Sequence, residues 1–350
     1  MGGRFSRFSI WCVSRSGRNL NRGSAPLRSR LCLACEISIF LDLRPFEKPR
    51  VSGVHRNSVK LIGMICAVAG IALAASSQIV ITVPRSEFAE NLKASDVSVL
   101  RDKSPVDVVG LERLSGNLAD MQLFILLDDS TRSSSLGVHL NEMKMFLDAL
   151  PASTQVAVGY MRNGTFGLAQ GFTTDHEKAA SALRLPAAIP GENGSPYFVL
   201  SDLAKHWPSK DATDRRVVLM LTDGVDRYYT SANMDDPYVD GTVSDALRAG
   251  VMVYSIYLRG AGLNGQSSWG TNVAQSHLIQ VTEETGGYAY FQALTDPVSI
   301  APFLSDFAER LENQYRVTLG SLNRKGLQPL TIRAVQPGVK IEGPTRMYAR

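Results

Sequence analysis

Three polar stretches carry the residues able to do chemistry. Asp128-Asp129-Ser130-Thr131-Arg132-Ser133-Ser134-Ser135 follows the apolar run Gln122–Leu127, and Thr222-Asp223-Gly224 follows the apolar run Arg216–Leu221. Gly191-Glu192-Asn193-Gly194-Ser195 lies between them, just before a helical pattern. Carboxylates and hydroxyls without a neighbouring His or Cys are hard oxygen donors. Together they suit Mg²⁺, which takes oxygen ligands octahedrally and keeps several of its waters. The same residues also have a plainer reading. Ser133–Ser135 would cap a helix, Asp223-Gly224 would make a turn, and Arg132 would pair with Asp128 or Asp129 where a cation could sit. Neither a Gly-x-Ser-x-Gly elbow nor a Gly-x-x-x-x-Gly-Lys phosphate loop is present.

The elements that must position these loops follow from apolar spacing. Continuous runs at Gln122–Leu127, Arg216–Leu221 and Val251–Leu258 predict strands buried on both faces. Leu136, Leu140, Met143, Phe146, Leu147 and Leu150 predict a helix over Leu136–Leu150. Gln155–Met161 and Thr165–Thr173, separated by Asn163-Gly164, predict a hairpin. Helices are expected at His176–Leu185, Phe198–Trp207, Val243–Ala249, Val273–Thr285 and Ile300–Leu311, with a strand at Tyr288–Phe291. This alternation predicts an α/β fold: a doubly wound, mostly parallel sheet with helices on both faces. Short strand-like segments flank it at Asp96–Leu100, Val106–Val109, Tyr315–Leu319, Leu330–Ala334 and Val339–Glu342. They are expected to combine into a small β module. In such sheets ligands bind outside the carboxyl ends of the strands, which is where the three polar stretches fall.

FILLDDS, the amphipathic helix after it and VVLMLTDG resemble the von Willebrand factor type A (VWA) domain. HLIQVTEETGGYAYF is similar to the segment such domains carry after their fifth strand, and LKASDVSVLRDKSPVDVVGLERL and GPTRMYAR are similar to flanks of a bacterial exported subfamily. The resemblance covers about residues 90–350. It implies a Rossmann-like fold, no catalysis, and a metal-ion-dependent adhesion site of the form Asp-x-Ser-x-Ser with a later Thr and Asp. Residue by residue, Asp128 and Ser130 match the first two positions, Ser195 stands for the Thr, and Asp223 matches the Asp. The third position falls on Arg132, which cannot coordinate a cation; Ser133, or else Ser134 or Ser135, would replace it, or the register Asp129-x-Thr131-x-Ser133 would apply. The resemblance thus implies a degenerate Mg²⁺ site at Asp128, Ser130, Ser133, Ser195 and Asp223. Its shell would be completed by a carboxylate from a protein partner.

The 350 residues hold 37 Lys+Arg against 33 Asp+Glu, formally +4. Residues 1–60 alone carry 12 bases against three acids, so the remainder is about −5, and all four cysteines lie within the first 66 residues. Between head and body, Leu61–Ala75 is an uncharged apolar run of 15, shorter than a spanning helix and of signal-peptide length. Ala72-Leu73-Ala74 would allow cleavage before Ala75; an uncleaved anchor, extended by QIVITV, is the alternative and the only route to a membrane. The expected organisation is a basic extension at 1–58, a signal peptide at 59–74, a β flank at 79–117, the VWA domain at 118–312 and a second β flank at 313–350. Translation from Val59 or Met64 would omit the extension; an arginine-rich tail for nucleic acid or acidic lipid is the other explanation. The body is expected to be periplasmic or secreted and to have no nucleic-acid partner.

Three function classes follow. The first is an exported protein-interaction module, cation-assisted. The second is a scaffold without metal. The third is a receiver-like phosphate-handling domain, which would need a Lys after its last strand where Leu258-Arg259 stands. His139, His176, His206 and His277 lack metal-ligand spacing and are expected on solvated faces or helix ends, and Asp211–Arg216 is expected to be a solvated loop. Tyr228-Tyr229, Asp235-Asp236 and Tyr238 form a candidate contact loop, and Trp269 a second exposed aromatic.

Overall fold

The strand Met121–Asp128 (β5) is buried at every residue. Its side chains alternate between two cores. Leu123, Ile125 and Leu127 enter one, and Phe124 and Leu126 the other. An apolar run with no solvent face requires cover on both sides, and that requirement builds the domain. The computed structural model describes residues 77–84, 90–116, 119–192, 194–211, 215–229, 235–260, 267–320 and 325–349, all within one unit, Ala69–Arg350. The expectations for residues 1–58, for the signal at 59–74 and for Asn193 lie outside the described residues.

Ahead of β5 come β1 (Ser77–Thr82), β2 (Val97–Arg101), β3 (Ser104–Val106) and β4 (Val108–Arg113). After it follow α1 (Ser133–Gly137), α2 (Leu140–Asp148), β6 (Thr154–Arg162), β7 (Thr165–Thr173), α3 (His176–Ser181) and α4 (Pro196–Lys205). Next are β8 (Arg216–Thr222), α5 (Pro237–Ala249), β9 (Val251–Tyr257), α6 (Ser268–Thr285), β10 (Ala289–Tyr290) and α7 (Ala301–Glu312). β11 (Gln314–Leu319), β12 (Gly326–Ala334) and β13 (Arg346–Ala349) close the chain.

The central sheet has six strands in the order β10-β9-β8-β5-β6-β7. All neighbours are parallel except β7, which runs antiparallel to β6 as the hairpin pattern predicts. The chain leaves β5 towards β6 and β7, then returns to place β8 on the other side of β5. The order therefore reverses between β5 and β8. One face of the sheet is covered by α2, α3 and α7 through Met143, Leu147, Ala179, Leu304 and Phe307. The other is covered by α4, α5 and α6 through Tyr197, Leu200, Val243 and Leu278.

Several boundaries differ from the expected ones for local reasons. The helix expected over Leu136–Leu150 is two helices, broken after Gly137, where a Cβ would lie 2.7 Å from Leu185. The α5 helix begins at Pro237, six residues before the apolar pattern suggests, because Asp236 caps it by accepting from Tyr238 N at 2.8 Å. Ser267 likewise starts α6 ahead of Val273.

The flanks combine as expected. In the three-stranded sheet β1-β11-β4 and the four-stranded sheet β13-β12-β2-β3, strands from both chain ends interleave. Ile79, Ile81, Val97, Val99, Tyr315, Val317, Leu330 and Met347 share one core. Two corrections arise here. QIVITV is strand β1, with Ile79 and Ile81 in that core. Val339–Glu342 is not a strand; it makes one bridge, Thr82 to Glu342, and the strand pairing with β12 is β13.

After α6, Gly286 caps the helix at φ 91°, and Gly287 passes so close to β9 that a Cβ would lie 1.9 Å from the Val253 carbonyl oxygen. Gly287→Ala is expected to destabilise the fold by about 3 kcal/mol, read as a lower urea midpoint at unchanged m-value.

Candidate functional site at the carboxyl end of the sheet

Asp128 ends β5 and is buried. Its Oδ1 accepts from Ser130 N at 3.0 Å and from Ser130 Oγ at 2.8 Å, and its Oδ2 accepts from Thr222 Oγ1 at 2.9 Å. The Thr222 bond joins the ends of β5 and β8 across the point where the strand order reverses. Thr131 Oγ1 donates to the Asp128 carbonyl at 3.0 Å, tightening the exit of β5.

Asp223 follows β8 and is buried beside Asp128. Its Oδ1 accepts from Val225 N at 3.0 Å, folding the loop back on itself. The guanidinium of Arg227 donates to Asp223 Oδ2 at 2.6 Å and to Oδ1 at 3.5 Å. The Asp223 carboxyl is pushed up to about 6: burial and the neighbouring Asp128 raise it by more than Arg227 and the Val225 N–H pull it down. The field of Asp223, with Asp128 and Asp226 behind it, outweighs the cost of burial for Arg227 and holds its guanidinium above its ordinary range.

Ser195 begins α4 and accepts a long bond from Phe198 N at 3.5 Å. Its hydroxyl donates to Asp226 Oδ2 at 2.7 Å. Asp226 Oδ1 accepts from Tyr228 N at 2.7 Å and Tyr229 N at 3.0 Å. Arg227 N donates to the Gly194 carbonyl at 2.8 Å. Tyr228 lies against Gly194, where a Cβ would meet its ring at 2.1 Å, so a larger residue there would expel the ring. The loops from β5, from α3 to α4, and from β8 thus meet at one place.

Four of the five residues inferred for metal binding, Asp128, Ser130, Ser195 and Asp223, are brought to this end of the sheet. Ser133 is not in the cluster: it is exposed in the first turn of α1. The other registers fare no better. Ser135 Oγ donates to Asp296 at 2.8 Å, and Asp129 accepts from Arg184 at 2.7 and 3.1 Å and from Ala187 N at 2.9 Å. The capping reading of Ser133–Ser135 is also corrected, since the α1 N-cap is Arg132, without a side-chain cap bond. The plainer reading pairs Arg132 with Asp128 or Asp129; the structure sets Arg184 and Arg162 at Asp129 and Arg227 at Asp223.

This donor set does not fit Mg²⁺. Asp223, the carboxylate a cation would need, already faces the guanidinium of Arg227, and the third motif position is Arg132, which offers no oxygen. Among the described residues, no group of three or more His, Cys, Asp or Glu side chains is disposed to hold a metal ion.

Arg227, Asp226 and Thr222 are the site residues that the sequence pattern missed. The spacing Asp223-x-x-x-Arg227 was the available signal, but on a loop that spacing fixes no geometry. Two other expectations need correction. His277 is buried, packed edge-on to Tyr197; His139 stands at a helix end as expected, at the N-cap of α2, but is buried, with Nδ1 3.1 Å from Glu142. Arg215 is buried too, donating to the carbonyls of Ala119 and Leu311 and to Gln314. An aromatic rim borders the site. The Phe198 ring stands 5.4 Å from Tyr228 and 4.6 Å from Tyr238, which is 5.9 Å from Tyr229. Tyr228 and Tyr238 are 59% and 43% exposed, and Trp269, 59% exposed, lies in the first turn of α6.

Although burial works against it, hydrogen bonds from Arg184 and Ala187 N, with the charges of Arg184 and Arg162, hold the Asp129 carboxyl below its ordinary value. A carboxylate with a lowered folded-state pKa stabilises fully above its unfolded value, near 3.8, and loses that contribution as pH falls through the folded one. Arg184→Ala is therefore expected to lower stability by about 2 kcal/mol at pH 7, with the difference shrinking below about pH 4 in urea titrations.

No family model matches the chain, and no curated protein matches it. Among solved structures, an aerotolerance-related membrane protein from Bacteroides fragilis is similar over 55% of this chain and 98% of its own, at 11% identity and TM-score 0.39. BatB from Bacteroides thetaiotaomicron is similar over 55% and 97%, at 12% identity and TM-score 0.37. The vWF domain of the type V pili tip protein Mfa5 from Porphyromonas gingivalis is similar over 54% and 94%, at 10% identity and TM-score 0.37. No function passes through likenesses at this level. The sheet order, and the strand ends that carry Asp128 and Asp223, are those of the doubly wound, mostly parallel α/β fold that the resemblance to von Willebrand factor type A domains implies.

Proposed function

We propose that this chain is an exported, non-catalytic protein-interaction module whose recognition face is the carboxyl end of its six-stranded sheet. The observation that carries this reading is the meeting of three loops at the β5/β8 reversal, rimmed by exposed tyrosines. In doubly wound sheets that crevice is where ligands bind. Tyrosines at such a rim offer large, rigid contact area at low entropic cost, with a hydroxyl that remains hydrated or finds a partner.

The polar groups of the cluster favour holding shape over turning over a substrate. Ser130 and Ser195 donate to Asp128 and Asp226, carboxylates that also accept from Thr222 Oγ1 and from Tyr228 N and Tyr229 N, so these bonds tie the loops to one another. Export rests on the apolar segment Leu61–Ala75 with Ala72-Leu73-Ala74 behind it. No helix among the described residues is long and apolar enough to cross a membrane.

The test is capture from envelope extracts of the source cell on the immobilised chain. Replacing both Tyr228 and Tyr238 by Ala should weaken capture of a specific partner about tenfold or more, as expected for rim aromatics that act as anchors. Val298→Ala, a change at an exposed residue outside the rim and the cluster, should leave capture unchanged. Equal capture by the tyrosine variant and the parent protein would place the interaction elsewhere and overturn this reading.

A further inference from the structure

We propose that Arg227 is the resident cation of this face, so that the site works without a divalent metal. This deepens the interaction reading and rests on it for its biological meaning, but its chemistry is tested separately. The argument begins with charge. Asp128 and Asp223 are both buried at the strand ends, and Asp226 stands in the same loop. Carboxylates placed together away from water need a counter-charge. Arg227 supplies it from within the chain, at 2.6 Å from Asp223 and within the fields of Asp128 and Asp226.

Arg227 is also built in, and three contacts hold it. Its backbone N–H donates to Gly194, its guanidinium donates to the Val225 carbonyl at 3.3 Å, and its neighbour Tyr228 is seated on Gly194 and Phe198. Its side chain is 16% exposed. A swing outward would break the ion pair and leave Asp223 buried without its partner, so the guanidinium is no casual surface contact.

A divalent ion entering here would meet a fixed positive charge at the carboxylate it needs most. The Arg132 substitution at the third motif position has the same consequence, since it removes an oxygen ligand where none is required. Recognition then does not depend on a partner carboxylate completing a metal shell. It depends on the tyrosine rim and on a loop that Arg227 holds in place.

The prediction is a gain of metal binding on removing the arginine. Calorimetry on the full chain with MgCl₂ and with MnCl₂ should show no saturable heat for the unmutated protein. Arg227→Ala removes the guanidinium that faces Asp223 and so leaves the buried acids without their counter-charge; it should bind with a Kd on the order of 1 mM or tighter, at least about tenfold tighter than the parent. Adding Asp223→Ala to that variant should abolish the binding, and Arg227→Lys, which keeps the charge, should stay silent. Arg227→Gln, neutral and closer in size, serves as the test variant if the alanine variant does not fold by circular dichroism.

Saturable Mg²⁺ binding by the unmutated chain that Asp223→Ala removes would overturn the proposal. So would a folded neutral variant that binds no better than its parent. In the capture assay, a partner retained in EDTA supports the proposal and a partner lost in EDTA overturns it. Failure to capture any partner at all would count against the interaction reading and leave the calorimetric result standing.

Discussion

Asp128 sits at the end of a strand that has no face to water, so its carboxylate must be satisfied from inside the protein. An ionised carboxylate buried without partners costs several kcal/mol. Here the partners come from two directions: Ser130 in the same loop, and Thr222 at the end of the neighbouring strand. The Thr222 bond fixes the ends of β5 and β8 against each other where the sheet reverses its winding. The next residue after Thr222 is Asp223, which is thereby placed beside a second buried acid. Arg227 answers that pair of charges, and in doing so brings its backbone to Gly194 and its neighbour Tyr228 onto the start of α4. One buried carboxylate thus accounts for the position of all three loops.

The sheet was legible because its strands are buried on both faces. A run such as Leu123–Leu127 can be satisfied only between two layers, and β5, β8 and β9 follow the apolar runs to within a residue or two. The flanks were legible as strands but less so in register. Their strands are short and half exposed, so each carries a weak alternation: the pattern predicts a last strand at Val339–Glu342, and the structure has it at Arg346–Ala349. QIVITV shows the same limit from the other side. An apolar hexapeptide reads equally as the tail of an export segment or as a strand, and only its pairing with β11 decides. Helix starts failed where capping outruns amphipathicity, as at Asp236-Pro237 and Ser267.

The site was half legible for a related reason. Asp128, Ser130 and Asp223 leave the ends of buried strands, so the strand assignment alone locates them. Arg227, Arg184 and Arg162 come from a loop, from just beyond a helix and from the end of a strand, and their partners are decided by tertiary contacts across the chain. The same holds for His139, His277 and Arg215, polar residues whose burial follows from neighbours far away in sequence. Sequence pattern identified the acids that needed a counter-charge and pointed to the wrong base, Arg132, as the one supplying it.

The two adjacent acids at the end of β5 show that this use of arginine is general to the face. Asp129 is buried and held by Arg184, whose guanidinium also lies 3.8 Å from the centre of the Tyr160 ring, and by Arg162 at 3.7 Å. Asp128 and Asp223 have Arg227. A charge pair about 4 Å apart near a protein surface is worth about 4 kcal/mol at an effective dielectric of about 20 before desolvation is subtracted; at Asp129 the arginines outweigh burial, and at Asp223 burial outweighs Arg227. A guanidinium differs from a metal ion in one respect that matters for recognition. It is covalently part of the chain and cannot leave. Loops fixed by such pairs take their shape from the pairs themselves, so on a recognition face of the kind proposed contact would fall to the side chains standing on those loops. On this molecule they are Phe198, Tyr228, Tyr229 and Tyr238.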